Sequence, residues 1–162
     1  MKAKRRVSPG NVPSMPLVAA LEVLAHLRTD NQIVVTSMGS AREWPRLSSH
    51  PLDFVYVPST MGGAIPLALG LALAQPDRDV VVCSGDGSLL MSLGSLVTVV
   101  ASGVTNLTIV LLDNGVYEVT GGQKTAAACA GVNFAGVARG VGFANVSHFC
   151  DLNDWRQRAP QL

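Results

Sequence analysis

Two short apolar runs, each ending on an oxygen-bearing side chain, constrain this chain most. Val80-Val81-Val82-Cys83-Ser84 leads into Gly85-Asp86-Gly87-Ser88, and Leu107-Thr108-Ile109-Val110-Leu111-Leu112 leads into Asp113-Asn114-Gly115. Continuous runs of this length, rich in β-branched and aliphatic residues, read as strands buried on both faces, as in a parallel sheet. Leu89 to Ala101, after the first run, reads as a helix. A glycine-flanked Asp is thereby placed where a strand ends and a helix begins. In open parallel α/β sheets, ligands bind in that crevice. Asn114, 28 residues after Asp86, is delivered to the same edge.

A carboxylate and a carboxamide are hard oxygen donors. Mg²⁺ takes one or two such protein ligands and completes its octahedron with phosphate oxygens and water. Gly85 and Gly87 let the backbone come close to a ligand. The amides that open the following helix, with the Ser88 hydroxyl, then face an anion. Gly-Asp-Gly by itself is an ordinary turn. The second donor, at the end of another buried strand, is what gives it a metal reading.

The rest of the chain alternates in the same way. Pro16 to Arg28 reads as a helix capped by Ser14, Ile33 to Thr36 as a short strand, and Ser37 to Leu47 as a loop with a helix start. Phe54 to Val57 follows as a strand, and Gly62 to Ala74 as a helix rich in Gly and Ala, ended by Pro76-Asp77. Val116 to Ala128 reads as a loop around Gly121-Gly122, Phe134 to Val141 as a helix, and Asn145 to Phe149 as a last strand. This alternation predicts an α/β fold, a doubly wound parallel sheet with helices on both faces. Met1 to Met15, with Lys2, Lys4, Arg5 and Arg6 among Pro9, Gly10 and Pro13, reads as a flexible basic tail, leaving residues 16–162 as one domain.

Composition narrows the function classes. Hydrophobic residues make up 48% and charged ones 14%, which implies apolar surface that meets a partner. A net charge of +1 gives no reason to expect nucleic acid or an anionic membrane. Cys83, Cys129 and Cys150 lack metal-ligand spacing and fit a reducing, cytoplasmic compartment. Their count also argues against an iron–sulfur oxidoreductase subunit, whose clusters need grouped thiolates. Leu17 to Leu27 carries Glu22 and His26, unlike a signal peptide, and no apolar run is long enough to cross a membrane.

From Gly85-Asp86-Gly87-Ser88 through Asp113-Asn114 the chain resembles the cofactor-binding motif of thiamine diphosphate enzymes, with Asp113 where that family usually has the first of two Asn. The resemblance implies thiamine diphosphate and Mg²⁺, the ion held by Asp86, Asn114 and the carbonyl of Val116. It runs upstream to Ser59-Thr60-Met61-Gly62-Gly63, where the family carries a bulky apolar residue beneath the bent cofactor. By position, 25 residues before Asp86, that residue is Met61. Downstream, Tyr117-Glu118-Val119-Thr120-Gly121-Gly122-Gln123-Lys124-Thr125 is similar to the Gly-Gly-Gln-Pro-Thr signature of sulfopyruvate and phosphonopyruvate decarboxylases, with Lys124 in place of Pro. Ser59, Thr60, Met61, Gly85, Asp86, Gly87, Ser88, Asn114, Val116 and Tyr117 are thereby expected around the cofactor. Met61 and Glu118 are the expected catalytic residues, Glu118 as a general base. Their plainer readings are a core methionine and a solvated carboxylate. Lys124 is a candidate contact for an anionic substrate tail.

By this resemblance the domain is the diphosphate-binding one, and its function the diphosphate-binding subunit of a 2-oxoacid decarboxylase. The family's catalytic glutamate lies on a pyrimidine-binding domain, of which no copy is recognisable here. A companion subunit is therefore expected to supply it, as in the two-subunit sulfopyruvate decarboxylases, and the chain alone is expected to be inactive. The rival readings are a carboligase of the acetolactate synthase type and a silent cofactor-binding or interaction module. Asp151-Leu152-Asn153-Asp154-Trp155 reads as a helix start with Pro160 close behind, where the family continues into a further strand, so this helix–strand unit is expected to be cut short.

Overall fold

Four strands make the central sheet: β1 (Gln32–Ser37), β2 (Asp53–Tyr56), β3 (Asp79–Gly85) and β4 (Leu107–Leu112), all parallel, in the order β2-β1-β3-β4. The structure, a computed structural model, describes residues 15–161. The expected basic tail up to Ser14, and the Ser14 cap with it, lie outside the described residues. The predicted α/β class holds. β1 and β3 are central and almost wholly buried, as their unbroken apolar sequences require.

Side-chain alternation divides the core between the two faces. Ile33, Val35, Val80 and Val82 pack on one face against Ile65, Ala68 and Leu69 of α3 (Ala64–Ala74) and Leu96 and Val99 of α5 (Ser95–Ser102). Val34 and Cys83 face the other side, under Leu21 of α1 (Leu17–Leu27) and Trp44. Each such buried side chain contributes about 1.5–3 kcal/mol relative to exposure, and a one-residue slip would expose a whole face. That penalty fixes the register, including the pairing of Gly85 with Leu112 at the last rung of β3 and β4. A third cluster joins Ala20 of α1 to Trp155 and Ala159, with α8 (Leu152–Arg158) capped by the Asp151 carboxylate at 2.9 and 3.0 Å.

Three expectations need correction. The helix read over Leu89 to Ala101 is two helices, α4 (Asp86–Met91) and α5, because the chain breaks at Ser92 to Gly94. There Ser92 Oγ donates to the carbonyl of Gly62 at 2.8 Å, a tertiary bond that no helical periodicity records. The helix start read within Ser37 to Leu47 is α2 (Met38–Glu43), followed by a 3₁₀ turn, Trp44–Arg46. Val116 to Ala128 is a hairpin, β5 (Val116–Tyr117) with β6 (Gln123–Lys124) about a 3₁₀ turn, followed by α6 (Ala126–Ala130). Asn145 to Phe149 is not a strand. Its carbonyl at Val146 accepts from Arg139 of α7 (Phe134–Val141) at 2.9 Å, and a groove separates the segment from β4. Among the described residues no helix is long and apolar enough to cross a membrane.

Candidate functional site

Asp86 and Asp113 step off the β3–β4 ladder side by side, one residue beyond the Gly85–Leu112 rung. Asn114 follows at once. Asp86 is 1% exposed, and its Oδ2 accepts from the Thr125 hydroxyl at 3.0 Å. Burial raises the carboxyl pKa of Asp113, and the neighbouring charge of Asp86 raises it further. Two acidic side chains crowd one strand edge, the arrangement a cation relieves. Asn114 Oδ1 accepts from the backbone N–H of Val116 at 2.9 Å, which folds the turn back and brings residue 116 beside the amide.

The glycines here answer to contacts. A Cβ on Gly87 would lie 2.7 Å from the Tyr117 ring, so Tyr117 packs against residue 87 of α4 only because that residue has no side chain. Gly62 has φ +87°, in the left-handed region that favours glycine. Its N–H donates to Ser88 Oγ at 2.9 Å and its carbonyl accepts from Ser92 at 2.8 Å. Two serines of one short helix segment therefore grip the residue after Met61 at both backbone groups. Ser88 Oγ thus accepts a bond within the protein.

Met61, Gly85, Asp86, Gly87, Ser88, Asn114, Val116, Tyr117 and Glu118 line one groove of about 2180 Å³. Ordinary ligand pockets run to about 1,000 Å³; the excess lies along the outer edge of β4, beyond the strand ends. Ser59 and Thr60 are not part of this lining. Ser59 Oγ instead meets the Met38 sulfur at 3.6 Å, and the Thr60 amide meets the Tyr56 hydroxyl at 3.4 Å. Glu118 stands at the mouth with its side chain 50% exposed, 3.2 Å from Arg42 Nη2. Lys124 lies on the exposed β6.

Two contributions escaped the sequence reading. Met38 and Gly39 also line the groove, from the end of β1. Met38 holds φ 54°, the one non-glycine residue with positive φ among the described residues, and such strain gathers at functional sites. The adjoining strand ends are tied by Ser37 Oγ, which donates to the carbonyl of Cys83 at 3.2 Å. The usable signal was topological: β1 neighbours β3, so its carboxyl end opens into the same crevice. Thr125 is the other, and nothing short of the fold shows its contact with Asp86.

The donor set fits Mg²⁺. Asp86 carboxylate, Asn114 amide oxygen and Val116 carbonyl are all hard oxygens, and the ion characteristically leaves most of its shell to phosphate and water. Among the described residues no group of three or more His, Cys, Asp or Glu side chains gathers into a metal site, which disfavours Zn²⁺-type binding. The side-chain-free surface at Gly85, the serine hydroxyl and the flat Tyr117 ring suit a diphosphate-bearing cofactor.

Comparison with known proteins agrees with this geometry. Residues 36–159 match the family described as Thiamine pyrophosphate enzyme, C-terminal TPP binding domain. The chain is 42% identical over 152 residues to a phosphonopyruvate decarboxylase of Streptomyces viridochromogenes, covering 93% of this chain and 37% of that protein. It is 44% identical over 129 residues to the sulfopyruvate decarboxylase subunit beta of Methanothermobacter thermautotrophicus, covering 79% of this chain and 67% of the relative. The crystal structure of benzoylformate decarboxylase from Polynucleobacter necessarius superposes with a TM-score of 0.73 at 20% identity, over 99% of this chain and 32% of that one. The last likeness concerns the fold alone. The chain thus spans about a third of the phosphonopyruvate decarboxylase and two thirds of the sulfopyruvate decarboxylase subunit.

Proposed function

We infer that this chain, which belongs to the thiamine pyrophosphate enzymes as a C-terminal TPP-binding domain, is the diphosphate-binding part of a Mg²⁺-dependent 2-oxoacid decarboxylase acting on a substrate with a second anionic group. The observation that carries this reading is the β3–β4 register, which brings Asp86, Asp113 and Asn114 off adjacent strand ends into one groove. The names of the two relatives, phosphonopyruvate decarboxylase and sulfopyruvate decarboxylase subunit beta, support the substrate class.

In this reading Asp86, Asn114 and the Val116 carbonyl hold the ion. Gly85, Gly87, Ser88 and Tyr117 receive the diphosphate, and Ser59 and Thr60 support the groove wall through their contacts with Met38 and Tyr56. When bound, the cofactor supplies an electron sink for loss of CO₂ from the 2-oxoacid. Met61 supports the ring system from beneath, its position set by the grip of Ser88 and Ser92 on Gly62. Glu118 exchanges a proton at the groove mouth, where Arg42 orients it. Lys124 offers a cation to the distal anionic group of the substrate. A companion pyrimidine-binding subunit contributes the activating glutamate, and the apolar, uncharged helices α3 and α5 suit its docking.

Calorimetric titration of thiamine diphosphate with Mg²⁺ tests the site. The wild-type chain should bind and Asp86→Ala should not; equal affinity overturns the metal assignment. Decarboxylation of sulfopyruvate, phosphonopyruvate, pyruvate and aromatic 2-oxoacids, assayed with and without the companion subunit, tests the rest. Full turnover by the isolated chain, or a preference for uncharged aromatic 2-oxoacids, overturns the split site or the substrate class respectively.

A further inference from the structure

Thr125 ends the segment that resembles a decarboxylase substrate signature, yet its side chain turns inward to the metal motif. Its Oγ1 donates to Asp86 Oδ2 at 3.0 Å and accepts from the Ala128 N–H at 3.2 Å, while its own N–H donates to the carbonyl of Gly115 at 2.9 Å. Thr125 and Asp86 are 0% and 1% exposed, so water does not compete for these bonds. The arrangement has one polarity. The Ala128 amide occupies the acceptor side of the hydroxyl, and the single hydroxyl proton goes to the carboxylate.

One residue thus holds the carboxylate that ends β3 through its side chain and the turn after Asn114 through its backbone. A ligating carboxylate with two free oxygens can rotate, and each orientation it samples weakens its hold on an ion. Hydrogen bonds from surrounding groups remove that freedom. We propose that Thr125 is the positioning residue for Asp86, committing Oδ2 to the protein so that Oδ1 is presented to the divalent cation, and locking the separation of the two strand ends that carry the ligands. This rests on the reading of Asp86 as a metal ligand. The hairpin β5–β6 runs from Asn114 to Thr125, so its conformation and the metal site are mechanically one unit.

The test measures Mn²⁺ affinity by electron paramagnetic resonance on the full chain with saturating thiamine diphosphate, together with thermal melting. Thr125→Val keeps the shape and removes the hydroxyl; Thr125→Ser keeps the hydroxyl. Thr125→Val should weaken Mn²⁺ by about 10–100-fold, the usual loss when a group behind a metal ligand is removed. Thr125→Ser should restore most of it. Wild-type affinity in Thr125→Val, even if that variant melts earlier, makes Thr125 a helix cap only and overturns the proposal. So does an equal loss in Thr125→Ser. A wild-type chain that binds no Mn²⁺ sinks the metal-site reading itself, a separate result from either.

Discussion

The amide of Gly62 donates to the Ser88 hydroxyl at 2.9 Å, which ties the turn after Met61 to the helix that begins at Asp86. Two parts of the site, far apart in sequence, are thereby set against each other by one buried bond. Gly62 cannot be replaced cheaply. Its φ of +87° disfavours any Cβ, and an added Cβ would sit 3.1 Å from Ser92. Gly62→Ala should lose about 1–2 kcal/mol from the backbone strain alone, read as an earlier urea midpoint. It should also displace Met61, so on the proposed function decarboxylation falls further than the fraction unfolded accounts for. Wild-type stability in Gly62→Ala would falsify the strained geometry.

Gly87 and Tyr117 make a reciprocal pair. Gly87→Ala places a methyl 2.7 Å from the Tyr117 ring, an overlap that typically costs about 1–3 kcal/mol and tilts the ring. Replacing the ring should suppress the defect: the double variant Gly87→Ala with Tyr117→Ala should melt higher than the two single losses summed predict. Strict additivity in melting measurements counts against the contact.

Arg28 and Asp53 lie 2.9 Å apart with side chains 6% and 8% exposed, far from the groove. Burial opposes the charge on Asp53. Hydrogen bonds from Ser48 and Arg28, with the Arg28 charge, outweigh it and hold the carboxyl below its usual range. A depressed carboxyl pKa contributes stability that is full above the unfolded-state value and fades as pH falls through the folded-state value. Asp53→Asn should therefore destabilise by about 1–3 kcal/mol at neutral pH, the scale of a buried donor left unpaired. The gap from wild type should narrow below about pH 4, where the unfolded carboxyl takes up its proton. Denaturation curves at neutral and acid pH decide it; a gap that widens in acid refutes the assignment.

Cys83 sits in the sheet, where burial pushes its thiol pKa up to about 12. Cys129 and Cys150 are exposed. Disulfide-exchange reagent at mild alkaline pH should titrate those two in the folded chain and all three in urea, since the thiolate is the nucleophile. Fast reaction of Cys83 without denaturant would show that the sheet opens.

The sheet and the placement of Asp86 and Asn114 at its strand ends were legible because their signals are local. Val80 to Ser84 and Leu107 to Leu112 are strand sequences bounded by turn residues, and both appear within a residue of where they were read. What escaped depends on contacts across the chain. Ser92 breaks a helix by bonding Gly62, 30 residues away. Thr125 reaches Asp86 across 39 residues, and a threonine after a glycine-rich turn gives no hint of that partner. Met38 was invisible for a different reason: only its backbone dihedral marks it, and no residue preference predicts a methionine at positive φ. Asn145 to Phe149 has the residues of a strand, but strand character is realised by pairing, and its backbone turned to Arg139 instead.

The pairing of Gly85 with Leu112 has a dynamic consequence. It is the terminal rung of its ladder, and terminal rungs are where a sheet frays, opening at far lower free energy than its centre. Asp86, Asp113 and Asn114 all hang beyond that rung. Fraying therefore dismantles the site while the rest of the fold stands. An occupant that bridges the two strand ends works as a clasp, and its binding strength includes the work of keeping the rung shut. Slow amide exchange at this one rung would then be the imprint of occupancy, legible without any catalytic turnover.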